Sequence, residues 1–125
     1  MIITYSQDSF VEDIKAQVKI HTIRADPKRR WKVGMSIQHW RGNPRNVRQN
    51  PYHFYNGICK GVQKIQILNI FDDREGVRID GVMLNDEQIE MLAKNDGFKT
   101  VDDFWNWFGM NDFEGVIIHF TDLKY

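Results

Sequence analysis

The stretch KIHTIRAD, residues 19–26, joins a helical pattern to a strand pattern, and this junction decides how the chain folds. The preceding SQDSFVEDIKAQ begins with capping-type residues and places Phe10 and Ile14 on one helical face. This spacing predicts a helix that ends near Lys19. The next residues predict a strand that begins near His21, so the chain mixes helix and strand from its first third.

The same junction predicts a cluster of polar side chains. If the helix closes at Lys19, the turn brings this lysine beside Thr22, and Arg24 lies two residues further on the same strand face. The guanidinium would hold planar oxygens, the hydroxyl would donate or attack, and a desolvated lysine would lose basicity. The alternative is that the three side chains are ordinary solvated surface.

The chain has 125 residues, of which 42% are hydrophobic, and this length predicts one domain over residues 1–125. Its single cysteine, Cys59, forms no disulfide within the chain. No apolar run reaches the length of a membrane span, and the N-terminus lacks a signal-peptide pattern. We therefore expect a cytoplasmic protein with no membrane partner.

Short elements of mixed type follow one another without regular alternation. This order predicts the α+β class, with about three short helices and a mostly antiparallel, barrel-like sheet of about five strands. One helix is expected to begin at Asn85 or Asp86 and another at Thr100, where Asp103 completes a capping pattern. The predicted strands cover residues 2–6, 35–40, 57–71, 77–84 and 115–120.

Residues 41–53 hold two prolines, three arginines and three asparagines, which predicts a long loop that serves as a lid or a binding segment. The later DDREG segment, residues 72–76, predicts the turn of a hairpin.

Charge is strongly polarised, although the chain is neutral as a whole. Residues 15–64 carry twelve Lys and Arg against the single acid Asp26, whereas residues 65–125 carry a net charge of −8. A basic block of this density is typical of a surface that binds a polyanion. The alternative is that the acidic half folds against the basic half and neutralises it.

Further candidate residues for ligand or RNA binding lie in and beside this block. Aromatic residues interleave with its cations, as they do in base-stacking surfaces. The candidates beyond Arg24 are His21, Arg29, Arg30, Trp31, Arg41, Arg45, Arg48 and Tyr52. The histidines and Cys59 lack metal-ligand spacing, so no metal site and no cofactor are expected.

The segment IKAQVKIHTIR, residues 14–24, resembles the signature of the ASCH domain family, a branch of the PUA-like superfamily. In that family a helix runs into a Gly-x-Lys-x-x-Thr-x-Arg pattern, and Lys19, Thr22 and Arg24 match its last three positions. Gln17 stands where the family has glycine. RWKVGMSIQHW, NDGFKTVDDFWNWF and GVIIHF are similar to later elements of the family in the same order.

The resemblance implies a PUA-like barrel that recognises RNA or a modified nucleoside in a cleft beside the junction. A small branch of the family hydrolyses the amide of N4-acetylcytidine with the motif's lysine and threonine and a downstream glutamate. By position these are Lys19, Thr22 and Asp96, with aspartate in place of the glutamate. As an alternative, Asp96 is a polar residue at a helix end.

Three hypotheses remain from the sequence. The chain is a domain that binds RNA or a modified nucleoside, an amide hydrolase that deacetylates N4-acetylcytidine, or a charge-polarised protein-interaction domain. The sequence specifies neither the substrate nor the oligomeric state.

Overall fold

The computed structural model describes residues 1–68, 76–108 and 111–125, and these form eight strands and three α-helices. The strands are β1 (Ile2–Tyr5), β2 (His21–Arg24), β3 (Ser36–Arg41), β4 (Tyr52–Ile58), β5 (Gly61–Leu68), β6 (Gly76–Ile79), β7 (Val82–Met83) and β8 (Phe113–His119). The helices are α1 (Asp8–Lys15), α2 (Asp86–Asn95) and α3 (Val101–Phe108). The predicted α+β class is confirmed.

The strands form two sheets, one with the order β1-β3-β4 and the other with the order β2-β8-β5-β6-β7. β1 runs parallel to β3, and the other pairs are antiparallel. The prediction of a mostly antiparallel arrangement is thus confirmed. The prediction of a single barrel of about five strands is wrong, because the described residues form an open five-stranded sheet and a separate three-stranded one.

The strand count differs from the prediction because residues 77–84 hold two strands, and because β4 begins at Tyr52, ahead of the strand predicted over residues 57–71. Residues 57–71 are divided at Cys59, whose N–H donates to the oxygen of Met35, and at Lys60, whose N–H donates to the oxygen of His119. These two hydrogen bonds mark the point where the chain leaves the three-stranded sheet and enters the five-stranded one. Residues 77–84 are divided by a tight turn at Asp80 and Gly81, which have φ angles of 50° and 83°.

The predicted loop over residues 41–53 is shorter in the structure. It lies between β3 and β4, contains a 3-10 turn at Val47–Gln49, and ends where β4 begins at Tyr52. The predicted turn at residues 72–76 lies almost entirely outside the described residues. Leu68 pairs with Gly76, so the hairpin itself is present.

The starts of α2 and α3 agree with their predicted caps, whereas the N-cap residue of α1, Gln7, makes no side-chain capping bond. Asn85 and Gln88 form a reciprocal capping box at α2, and the N–H of Asp103 donates to Oγ1 of Thr100 at 3.1 Å before α3. The helices bury Phe10, Leu92 and Phe104 against the sheets. Within the described residues, no helix is long and apolar enough to cross a membrane.

Candidate functional site

The chain leaves α1 through a left-handed turn at Gln17, which has a φ of 60°. The N–H of Val18 donates to the oxygen of Asp13 at 2.8 Å, so the turn closes the end of the helix in the way that a glycine usually allows. As a result α1 ends at Lys15, earlier than the predicted end near Lys19. Lys19 lies in the turn between the helix and β2.

A second helix end meets this turn. α2 is followed by Asp96 and by Gly97, which has a φ of 94°. The N–H of Ile20 donates to the oxygen of Asn95 at 2.9 Å and ties the two helix ends together. A Cβ on Gly97 would lie 3.1 Å from Cδ of Lys19, so glycine leaves the space in which the lysine stem packs.

Lys19 and Asp96 form a buried ion pair at this meeting point. Nζ of Lys19 donates to the main-chain oxygen of Asp96 at 2.6 Å and lies 3.3 Å from Oδ1 of its carboxylate. The two residues are only 2% and 4% exposed. Burial lowers the pKa of Lys19, and the charge of Asp96 opposes this shift. Lys19 and Asp96, two of the residues that the resemblance implies for catalysis, are therefore in direct contact.

His21 also contacts the carboxylate of Asp96. Its Nδ1 lies 2.9 Å from Oδ1 of Asp96, and its Nε2 lies 2.7 Å from the hydroxyl of Tyr125. Burial lowers the pKa of His21 and raises that of Tyr125 to about 12. A neutral imidazole thus donates to the carboxylate and accepts from the phenol. His21, expected to contact a ligand, is buried with both nitrogens occupied, because its side chain points to the other face of β2 from Thr22.

Thr22 and Arg24 lie together on the near face of β2. Nε of Arg24 donates to Oγ1 of Thr22 at 3.2 Å, and NH2 of Arg24 donates to the oxygen of Thr4 at 2.7 Å. The guanidinium carbon also lies 5.2 Å from the ring centroid of Tyr5. These contacts hold the guanidinium in one orientation. The hydrogen bond to Thr22 comes from Arg24, and no direct bond joins Lys19 to Thr22 among the described residues.

A pocket of about 610 Å³ brings these groups to one wall. Lys19, Thr22, Arg24 and Asp96 all line it. The wall includes an aromatic cluster formed by Phe10, Phe98, Trp107, Phe108 and Phe113. Trp107 is 48% exposed, and its ring centroid lies 5.9 Å from that of Phe10. The aromatic cluster is the part of the site that sequence reasoning missed.

The β3–β4 loop contributes to the same pocket. Asn43 and Gln49 line it, while Arg45 and Arg48 from the same loop are exposed to solvent. Arg41 is half-buried, and its Nε donates to Oδ1 of Asp8 at 2.8 Å. The loop therefore supplies part of the pocket wall and two exposed cations.

The other predicted contacts lie outside the pocket wall. Arg29 and Arg30 are exposed, and the carboxylate of Asp26 accepts the N–H groups of Arg30 and Trp31. Trp31 is half-buried against the core, although its sequence context predicted exposure. Tyr52 is 47% exposed on β4.

The basic block stays largely unpaired. Among the described residues, Lys19 of this block pairs with Asp96, and Arg41 pairs with Asp8. Most of its other cations are exposed. Direct ion pairing with the acidic half therefore does not neutralise this block in the described part of the chain.

The described residues contain no cluster of three or more His, Cys, Asp or Glu side chains arranged to hold a metal ion. No protein-family model matches the chain, and no curated protein or solved structure is significantly similar to it.

Proposed function

We propose that this chain is an ASCH-type, PUA-like domain that binds RNA or a modified nucleoside and takes one base into the pocket beside β2. The observation that carries the proposal is the convergence of Thr22, Arg24 and Asp96 on one wall of a pocket that aromatic rings also line. A volume of about 610 Å³ suits a single nucleoside.

The polar wall has the donors and acceptors that the edge of a base requires. Asp96 uses Oδ1 for Lys19 and His21, which leaves Oδ2 to accept an amino or ring N–H. The hydroxyl of Thr22 accepts from Arg24 and keeps its own hydrogen for a ligand. Arg24 has further N–H groups beyond the two it uses. A base with an N–H beside carbonyl or ring-nitrogen acceptors, such as a cytosine, complements this wall.

The aromatic cluster and the loop supply the rest of the binding energy. Aromatic side chains stack on base faces, and each such contact is worth about 1–3 kcal/mol. Exposed Arg45 and Arg48 stand on the loop that also lines the pocket, so phosphates on either side of a bound base would meet positive charge.

Fluorescence titration with cytidine and with short single-stranded RNA tests the proposal. Arg24→Gln is expected to weaken nucleoside binding at least tenfold, and Lys64→Gln, an exposed change on β5, is the matched control. RNA affinity is expected to fall steeply between 50 and 200 mM salt. Salt-independent affinity, or the absence of saturable binding to either ligand, would rule out nucleic-acid recognition and leave the protein-interaction hypothesis.

A second candidate function is deacetylation of N4-acetylcytidine, and the buried Lys19 favours it. Burial lowers the pKa of this amine, which increases the fraction that is unprotonated and able to accept a proton near neutral pH. In this reaction Lys19 removes the Thr22 proton, and Oγ1 attacks the acetyl carbonyl. The C–N bond breaks as Lys19 returns the proton to the cytidine amine. Water then hydrolyses the acetyl ester to acetate, and Arg24 stabilises the oxyanion in both steps.

Incubation with N4-acetylcytidine tests this second candidate. Release of cytidine that Lys19→Ala and Thr22→Val both abolish would support hydrolysis. If no cytidine forms while N4-acetylcytidine still binds, the chain is a binding domain and not a hydrolase.

A further inference from the structure

A second pocket, of about 620 Å³, lies apart from the aromatic cluster. The turn after α1, the β3–β4 hairpin and the segment after β8 enclose it. Its apolar wall includes Ile14, Ile20 and Phe120, and its polar wall includes His39 and Lys60. Lys19 lines both pockets, and the proposed function uses no other residue of this one.

The imidazole of His39 is fully buried and has one free nitrogen. Its Nδ1 lies 2.8 Å from the hydroxyl of Tyr5, whereas its Nε2 has no hydrogen-bond partner among the described residues. Burial raises the pKa of Tyr5 and lowers that of His39 to about 4, so both groups are neutral near pH 7. In the tautomer in which the phenol donates to Nδ1, Nε2 carries the ring proton, and a donor role for Nε2 depends on this tautomer.

A buried N–H without an acceptor destabilises the folded state, because it loses the hydrogen bond that it makes to water in the unfolded chain. Gly57 lines the same pocket, and a Cβ at this position would lie 3.3 Å from Nε2 of His39. Glycine therefore keeps the space beside the N–H clear. The local geometry thus combines a ring nitrogen that has no partner among the described residues with a neighbouring residue that has no side chain.

The charges around the pocket narrow the chemistry of that acceptor. Lys60 is exposed, and its amine has no hydrogen-bond or ion-pair partner among the described residues. A negative oxygen would therefore meet both a donor and a cation. Asp122 also lines the pocket and disfavours a second negative charge.

We propose that this second pocket binds a small organic monocarboxylate. The carboxylate accepts the N–H of His39 and pairs with Lys60, while the apolar body packs on Ile14, Ile20 and Phe120. Apolar burial and a small number of fixed polar groups are the usual features of a small-molecule site.

Titration of the ¹⁵N-labelled protein with sodium butyrate, at constant pH and ionic strength, tests this proposal by NMR. We expect saturable shifts of the Ile20, Gly57 and Phe120 amides. Butyramide has a similar shape without the charge, and it is expected to bind at least fivefold more weakly.

Two variants and one control complete the experiment. Lys60→Gln and Gly57→Ala are each expected to weaken butyrate binding at least fivefold, and their spectra report whether they fold. Trp107→Ala alters only the first pocket and is expected to leave butyrate affinity unchanged. Shifts that do not saturate, that are equal for butyramide, or that persist unchanged in Gly57→Ala would overturn the proposal. Nucleoside binding in the first pocket is measured separately and does not depend on this result.

Discussion

Nζ of Lys19 lies 2.6 Å from the main-chain oxygen of Asp96, although the two residues are 77 positions apart in the sequence. The contact joins the end of α1 to the end of α2 and fixes one wall of the first pocket. Because both residues are almost fully buried, the pair links the stability of the fold to the geometry of the site.

Asp96→Asn tests this link. The change keeps the size of the side chain but leaves the Lys19 amine without its carboxylate, and breaking a buried pair in this way typically costs about 3 kcal/mol. We expect the free energy of unfolding in urea to fall by about that amount. In the double variant Lys19→Met/Asp96→Asn, part of the loss is expected to return, because no charge is left unpaired. Purely additive effects of the two changes would contradict a direct interaction.

Gln17→Gly is expected to stabilise the protein by about 0.5–1 kcal/mol. Gln17 has a φ of 60°, and a left-handed conformation costs a residue with a Cβ about 1–2 kcal/mol, part of which the greater flexibility of unfolded glycine offsets. Ala16→Gly is the matched control, since Ala16 has a φ of −81° and gains nothing from glycine. Urea denaturation of the two variants measures the difference. Equal effects would show that the turn at Gln17 is unstrained.

Gly97→Ala is expected to destabilise the fold more than Gly34→Ala does. Both glycines have nearly the same backbone angle, with φ values of 94° and 93°. An added Cβ at Gly97 would lie 3.1 Å from Lys19 and from Phe10, whereas one at Gly34 meets nothing within 4 Å. The difference between the two variants in thermal or urea unfolding therefore measures the packing against Lys19, which we expect to be about 1–2 kcal/mol.

Acid is expected to destabilise the fold below about pH 6.5 through its buried histidines. Burial lowers the pKa of His39 to about 4 and that of His119 to about 3, while an unfolded histidine titrates near 6.5. Below pH 6.5 the unfolded chain therefore binds more protons than the folded one, and stability is lost as the pH falls. Each histidine contributes at most about 1.4 kcal/mol per pH unit.

Urea unfolding at a series of pH values between 6.5 and 5 measures this slope. His39→Gln keeps an acceptor for the Tyr5 hydroxyl and removes the titrating ring. The variant is expected to reduce the slope by up to one proton. An unchanged slope would show that His39 does not stay neutral in the folded protein.

Local patterns were enough to predict several elements of the fold. The caps at Asn85 and Thr100 depend on side chains three residues away, and short-range spacing reveals them. The division of residues 57–71 depends instead on bonds from Cys59 to Met35 and from Lys60 to His119. Such long-range bonds leave no periodic signal, so the sequence predicted one strand over residues 57–71, whereas residues 57 and 58 end β4 and β5 begins at Gly61.

The candidate site could likewise be predicted only where it depends on residues close together in the sequence. The convergence of Lys19, Thr22 and Arg24 on one wall was predicted from their spacing around the junction. His21 could have been placed correctly, because residues 21 and 22 of a strand face opposite sides. The contact of Tyr125 with His21 and the position of Trp107 at the pocket depend on tertiary packing, and no local pattern predicts them.

Trp107→Ala is expected to weaken nucleoside binding with little effect on stability. The side chain is 48% exposed, so its loss removes little core packing, yet it lines the pocket beside Phe10, whose ring centroid lies 5.9 Å away. If the indole stacks on the bound base, the variant loses about 1–3 kcal/mol of binding, which corresponds to a rise in Kd for cytidine of about fivefold to 150-fold. Met91→Ala, an exposed change on α2 outside the pocket wall, is the control. Calorimetric titration measures both, and an unchanged Kd in Trp107→Ala would place the base elsewhere in the pocket.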